Sequence, residues 1–287
     1  MVNCWIIYNG SLESDKFADQ ARLVAEAAER RGITALLKKN YEVLMDTSMG
    51  VGELPGFVVL LDKDILLGEF LKSRGVPVYN DPSVIALCDN KAHQYIRLSE
   101  ADIPMPRTIV APKVYPKFSI KDSGYFERVL QSFGLPMIIK EGHGSFGMKV
   151  YLIETEEQFY EKTDALRGVD FVFQEFIAES RGRDIRVNIV GGKVIAAMKR
   201  VSETDFRANI TNGGTAAPVE LTDEQAKLAL AAAEAVGAKF AGVDLLFGKN
   251  GPHVCEVNAA AHIRNLLNVT GVNVGDAMID FILEELS

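Results

Sequence analysis

The chain has 287 residues, 48% hydrophobic and 24% charged, which is enough apolar material for a sizeable core and too much for a disordered polymer. Its 31 basic and 39 acidic side chains leave a net charge of −8, which disfavours a duplex nucleic-acid binder but leaves room for a local phosphate site. Three scattered cysteines, Cys4, Cys88 and Cys255, lie outside any CxxC pattern, so neither a disulfide framework nor a zinc cluster is expected, and a reducing, cytoplasmic compartment is.

The N-terminus shows no basic and then apolar leader. No apolar run approaches the roughly 20 residues that span a bilayer, so no membrane partner is expected. The first third alternates strands and helices. Residues 4–8 read as a buried strand, 15–31 as a helix stopped by Gly32, 33–37 and 57–61 as strands, 65–74 as a helix stopped by Gly75, and 76–80 as a closing strand. That order predicts parallel βαβ units over residues 1–88. A helix over 90–102 follows, then a Pro-rich stretch over 104–116 and a helical pattern over 126–133. Strands are expected at 136–140, 149–153 and 171–176 around a helix at 156–166, giving a second segment over 89–176. The last segment, 177–287, carries two hairpins. One joins 184–190 to 194–201 across Gly191-Gly192, and the other joins 243–247 to 253–257 across Lys249-Asn250-Gly251. Helices over 222–236 and 274–286 complete it.

Gly142-His143-Gly144-Ser145-Phe146-Gly147 matches G-x-G-x-x-G, but a strand rather than a helix follows it. The dinucleotide fingerprint, and with it a nicotinamide-dependent oxidoreductase, therefore fails the context test. A glycine loop between antiparallel strands can instead present backbone N–H groups to phosphates, with Lys140 just before it. In the second hairpin, a turn centred on Asn250 sets Asp244 directly opposite Glu256, with Asn258 on the same face. Two like charges face to face need a compensating cation, and Mg²⁺ takes one or two carboxylates plus substrate phosphates. Asp184, Arg186 and Asn188 share one strand face, and Arg207 and Asn209 lie in the polar loop that leads to Asn212-Gly213-Gly214. There is no nucleophile elbow and no Walker A lysine motif.

Taken in order, these segments resemble the ATP-grasp superfamily, and within it the RimK-like carboxylate–amine ligases. The carrying pieces are Asp89-Asn90-Lys91, the Lys140 strand with its loop, Gln174-Glu175-Phe176-Ile177, Asp184-Ile185-Arg186, Asp205-Phe206-Arg207-Ala208-Asn209, Ala241-Gly242-Val243-Asp244 and Glu256-Val257-Asn258. The resemblance implies an α/β and α+β architecture, in which an N-terminal Rossmann-like parallel-sheet domain precedes a central lid and a C-terminal domain. ATP and two Mg²⁺ (with Mn²⁺ as a substitute) would lie between the last two. Lys91 and Lys140 would hold phosphates together with the loop residues Gly144, Ser145 and Gly147. Gln174, Glu175 and Phe176 would meet adenine, Asp184 the ribose, and Asp244, Glu256 and Asn258 the metals. Arg207 and Asn209 would face the γ-phosphate and the acyl phosphate.

The implied reaction forms a peptide-type bond through an acyl phosphate and releases ADP and phosphate. Its partners would be an amino acid, glutamate by family default, and a carboxylate acceptor such as a peptide, a protein C-terminus or a carrier protein. A homodimer or homotetramer is implied as well. After Asn258 the chain continues Ala259-Ala260-Ala261-His262-Ile263-Arg264-Asn265, closer to the lysine-biosynthesis carrier-protein branch than to the glutamate-adding one. Arg186, Arg264 and Asn265 are the expected substrate contacts. A non-catalytic nucleotide-binding switch using the same cleft is the alternative.

Overall fold

The computed structural model describes residues 3–48, 52–122, 124–144, 147–210 and 213–287. The βαβ rhythm builds the first sheet. Strands β1 (Asn3–Tyr8), β2 (Thr34–Lys39), β3 (Phe57–Leu60) and β4 (Val78–Tyr79) pair in the order β2-β1-β3-β4, all parallel. Helices α1 (Asp15–Glu29) and α2 (Ile65–Ser73) are the crossovers. A helix absent from the sequence reading, α3 (Pro82–Asp89), follows β4. Asp81 caps it by accepting from the Ser83 N–H, and Pro82 opens it, where a missing N–H costs nothing.

Helix α4 (Lys91–Glu100) starts at Asn90, whose side chain accepts from the N–H groups of Ala92 and His93. Then come β5 (Thr108–Val110), α5 (Gly124–Phe133), β6 (Met137–Glu141), β7 (Val150–Ile153), α6 (Glu156–Ala165) and β8 (Phe171–Glu175). They form a second, antiparallel sheet ordered β5-β8-β6-β7. Its core is aromatic: Phe159 stacks on Phe173 at 5.5 Å over the buried Met137 and Ile139.

The third sheet holds β9 (Arg183–Val190), β10 (Lys193–Val201), β11 (Thr215–Pro218), β12 (Phe240–Gly248) and β13 (Gly251–Asn258), ordered β11-β10-β9-β12-β13 and antiparallel. Gly191 and Gly192, at φ of +54° and +71°, make the tight turn between β9 and β10. One face is covered by α7 (Asp223–Ala235), whose Ala229, Ala232 and Ala233 are buried with Val187, Val243 and Val257, together with Tyr95 and Leu98 of α4. Helices α8 (Arg264–Thr270) and α9 (Val274–Leu286) pack against α1 in a core that joins the first and third sheets. Among the described residues no single helix is long and apolar enough to cross a membrane.

Three buried polar side chains lock these layers. Asn80, after β4, donates to the carbonyls of Phe240 and Ala259 (2.8 and 2.6 Å) and accepts from the N–H groups of Lys239 and Phe240 (2.9 Å each). Gln94 of α4 clasps the backbone of Val257, donating at 2.7 Å and accepting at 2.8 Å. Tyr95 donates to the Cys255 carbonyl at 2.6 Å. Because Asn80 answers four backbone groups, Asn80→Ala strands them in a dry joint. We expect a loss of about 3 kcal/mol, read by urea unfolding, since each buried unsatisfied group costs about 1–3 kcal/mol.

Candidate active site

The carboxylates expected to face each other do so: Asp244 of β12 is in register with Glu256 of β13. The route differs from the one inferred from sequence. The turn occupies Lys249 and Asn250 alone, with Gly248 paired to Gly251, which by itself would bring Cys255 opposite Asp244. A bulge between Val254 and Glu256 absorbs Cys255 and moves Glu256 into register. Asn258 lies beyond it and donates to Glu256 Oε1 at 3.1 Å.

The neighbouring strands contribute a buried ion network. Asp244 is in register with Arg186 of β9, which forks onto its carboxylate, with Nη2 to Oδ2 at 2.7 Å. Arg200 of β10 forks onto Asp184 at 2.7 and 2.6 Å and also reaches Asp244 at 3.0 Å. Burial presses on the Asp244 carboxyl, but the two guanidinium groups outweigh it and hold its pKa below the usual carboxylate range. Arg200 was not foreseen. A regular hairpin across Gly191-Gly192 would put Lys199 opposite Asp184, and a bulge between Val194 and Ala196 shifts Arg200 there instead. Asp184, expected as a ribose partner, is thus already engaged by Arg200.

Two lysines approach from other elements. Lys140 on β6 is buried and donates to the Tyr95 hydroxyl at 2.7 Å, with Cys255 Sγ at 3.7 Å. Burial works against its charge, yet Cys255, Tyr95 and Glu256 outweigh burial and its pKa stands above the usual lysine value. Lys91 donates to the Gly144 carbonyl at 3.1 Å and lies 3.9 Å from Glu256. Burial lowers its pKa, and Glu256 offsets this only in part. It also occupies the first turn of α4, where the helix dipole disfavours a cation. A buried lysine placed there has much to gain from an anion. Burial likewise works against Glu256, but Lys91 and other neighbours keep its carboxyl below the usual range.

The described parts of the glycine loop and the polar loop meet at Gly147, Arg207 and Asn209. Arg207 forks onto Asp205 at 2.9 and 2.6 Å and donates to the Gly147 carbonyl. Gly147 is at φ +71°, and a Cβ there would stand 2.9 Å from Asn209 Oδ1, so a side chain would push the loops apart. Ser145 and Asn212 lie outside the described residues. Gln174 is buried and donates to Thr108 Oγ1 at 2.8 Å, while Glu175 and Phe176 border the opening.

Together these groups line an open cleft whose empty space, solvent at its mouth included, is about 870 Å³. Six cationic side chains and four carboxylates line it, a positive excess in a chain of net charge −8. A second cleft, of about 1270 Å³, shares Arg200, Asn209 and Glu256 with it and extends past Arg186, Asn258 and Asn265 to Asp62 and Phe17. Arg264, expected as a substrate contact, lines neither cleft. Its guanidinium forks onto Asp19 of α1 at 2.5 and 2.7 Å, a pairing across 245 residues that nothing local in the sequence signals. His262, at the edge of the second cleft, meets the Phe17 ring edge-on at 5.0 Å, and burial pushes its pKa down to about 4.

The unfolded chain takes up a proton at His262 near pH 6.5, and the folded chain resists until about 4. Stability therefore falls as pH drops through that window, by about 3 kcal/mol from this group. His262→Gln should flatten the fall between pH 7 and pH 5 in urea titrations.

Whether the floor suits Mg²⁺ depends on its donors. Among the described residues no three His, Cys, Asp or Glu side chains converge as a metal cage. Two opposed carboxylates and an amide suit an ion that completes its shell with phosphate oxygens and water. Asp244 is bonded to two guanidinium groups, whereas the one ion pair of Glu256 among the described residues is the long contact with Lys91 at 3.9 Å, with Lys140 acting on it from farther off, so Glu256 is the carboxylate better placed to take a dication.

Comparison with known proteins agrees with this architecture. The RimK-like ATP-grasp domain family matches residues 88–282. A probable alpha-L-glutamate ligase 2 from Shewanella amazonensis is 37% identical over 211 residues, 72% of this chain and 67% of the relative. A protein of the same description from Shewanella baltica is 33% identical over 280 residues, 91% and 90% of the two chains. The ATP-grasp ligase PsnB, solved with a phosphomimetic precursor variant, Mg and ADP, shares the fold at a TM-score of 0.71 and 19% identity, covering 100% of this chain and 99% of its own. With two-thirds of its length matched by the family and near-complete alignment to named ligases, the chain belongs to the RimK-like ATP-grasp ligases.

Proposed function

We propose that the chain uses ATP to activate a substrate carboxylate as an acyl phosphate and joins it to an amino-acid amine, with glutamate as the amine that the family resemblance implies. The observation that carries this reading is that the two clefts meet at Arg200, Asn209 and Glu256. A nucleotide in the first cleft would direct its terminal phosphate toward whatever the second cleft holds. A carboxylate oxygen attacks the γ-phosphorus, the bond to the bridging oxygen breaks, and ADP departs. The amine nitrogen then attacks the acyl carbon, phosphate leaves with the C–O electrons, and one proton is released.

Such transfers need positioning and charge neutralisation rather than a protein nucleophile. In this reading Lys91 and Lys140 hold phosphate oxygens, with Gly144 and Gly147 beside them, and the expected phosphate contact of Ser145 falls outside the described residues. Gln174, Glu175 and Phe176 border adenine, and the lone pairs of Asp184 that Arg200 leaves open receive the ribose. Arg207 and Asn209 face the transferred group, and Arg186 and Asn265 face the substrate. Asp244, Glu256 and Asn258 would hold Mg²⁺, with Mn²⁺ as substitute, which when bound polarises the phosphoryl oxygens. Arg264 drops out of the set.

The test is product analysis. Protein, Mg²⁺ and ATP are combined with pooled amino acids and short peptides, and the nucleotides are separated. ADP and phosphate formed only with a particular pool support the reading, while AMP and pyrophosphate would replace it with adenylation.

A further inference from the structure

The second cleft is lopsided in charge. Arg186 forks onto Asp244, Arg200 onto Asp184, and Lys63 is bonded to Asp89, so each of these cations is already matched by a carboxylate. Asp62, two residues past the end of β3, is matched only weakly, by the charge of the adjacent Lys63. It accepts from the Asn9 amide at 3.0 Å and from the Lys63 N–H but makes no ion pair among the described residues. Burial lifts its pKa above the usual aspartate value, as expected of a carboxylate short of compensation. It stands at the carboxyl end of a parallel strand, where open α/β sheets bind their ligands. The lining of the same cleft includes the apolar side chains Leu12, Phe17 and Met148, and His262 in it is neutral near pH 7. Lys16 stacks on Phe17 at 5.0 Å but is not part of the lining.

We propose that Asp62 is a specificity-determining residue that binds the ammonium of the carboxylate donor, so that the donor is an amino acid or short peptide with a free ammonium and an apolar side chain. This rests on the ligase reading above. A second acid group on the donor would meet no cation in this cleft that is not already bonded to a carboxylate, among the described residues. An ammonium, by contrast, compensates Asp62 directly.

The experiment uses the full chain with Mg²⁺, ATP and glutamate as the amine. Donors are matched pairs: methionine and leucine of both hands and their dipeptides, each with a free and an N-acetylated amino end, beside dicarboxylic donors. Acetylation should cost about 10–100-fold in kcat/KM, the worth of one hydrogen bond to a charged group. Asp62→Asn should remove that difference, losing the same factor on free donors while leaving acetylated ones within about twofold. Equal use of free and acetylated donors, preference for a dicarboxylic donor, or an equal loss on both in Asp62→Asn overturns the proposal.

Calorimetric titration of the same pairs into the wild-type protein, loaded with a non-hydrolysable ATP analogue, reads the discrimination without a variant or turnover. Discrimination there with no ADP from any donor would remove the ligase reading and keep the ammonium site. ADP formation without discrimination would do the reverse.

Discussion

Replacing Glu256 with glutamine should cost turnover at least about 100-fold while leaving the fold and the proposed adenine-binding residues in place. The metal contribution to phosphoryl transfer is several kcal/mol, and each 1.36 kcal/mol is tenfold in rate. Glutamine keeps the shape and one oxygen, so Asn258 retains its partner, and the counter-charge is lost chiefly to Lys91 at 3.9 Å and, less directly, to Lys140, which keeps its bond to Tyr95. The same experiment on Asp244 would be harder to read, because two guanidinium groups depend on that carboxylate. ADP release and nucleotide titration with and without Mg²⁺ check the result. Turnover within a few-fold of wild type would remove Glu256 from the proposed metal site.

The largest expected loss of stability comes from Arg200→Met. Arg200 is buried and bridges Asp184 and Asp244. Deleting one partner of a buried ion network leaves uncompensated charge, at a cost of about 3–5 kcal/mol. For a chain of this size that lowers Tm by about 10 °C. Arg264→Met is the control: its pair with Asp19 is partly exposed, and such pairs are worth less than about 1 kcal/mol. Differential scanning calorimetry separates the two, and equal shifts would mean that burial is not what makes the Arg200 network matter.

Much of the fold was legible because it obeys local rules. The βαβ rhythm, the glycine stops and both hairpins follow from periodicity and turn chemistry, and the Gly191-Gly192 turn lies where two adjacent glycines put it. The short elements β5, β11 and α8 were not legible. Thr108–Val110 has three residues, Thr215–Pro218 is too small and uniform to alternate, and Arg264–Thr270 has two turns and no side-chain cap. The opposition of Asp244 and Glu256 was found through a turn misplaced by half a residue, which the bulge at Cys255 cancelled. The same kind of irregularity hid Arg200, since each bulge shifts every later pair by one and no composition rule marks it. Asp62 escaped notice because its environment is tertiary: it bonds to Asn9, 53 residues away, and the cleft it lines is built from the third sheet together with α1 and loops beside the first two sheets.

The cationic lining of the first cleft has a kinetic consequence. Since that lining is positive within a chain of net charge −8, the rest of the molecule is more acidic still. A polyanionic nucleotide diffusing inward meets repulsion at long range and attraction only at the mouth. Lowering the ionic strength lengthens the reach of the repulsion, because the Debye length grows from about 8 Å in physiological salt to about 30 Å at 0.01 M. With the nucleotide bound in this cleft as proposed, its capture should be slowest in dilute buffer. It speeds up as salt screens the acidic exterior, until the short-range pull of the mouth is itself screened.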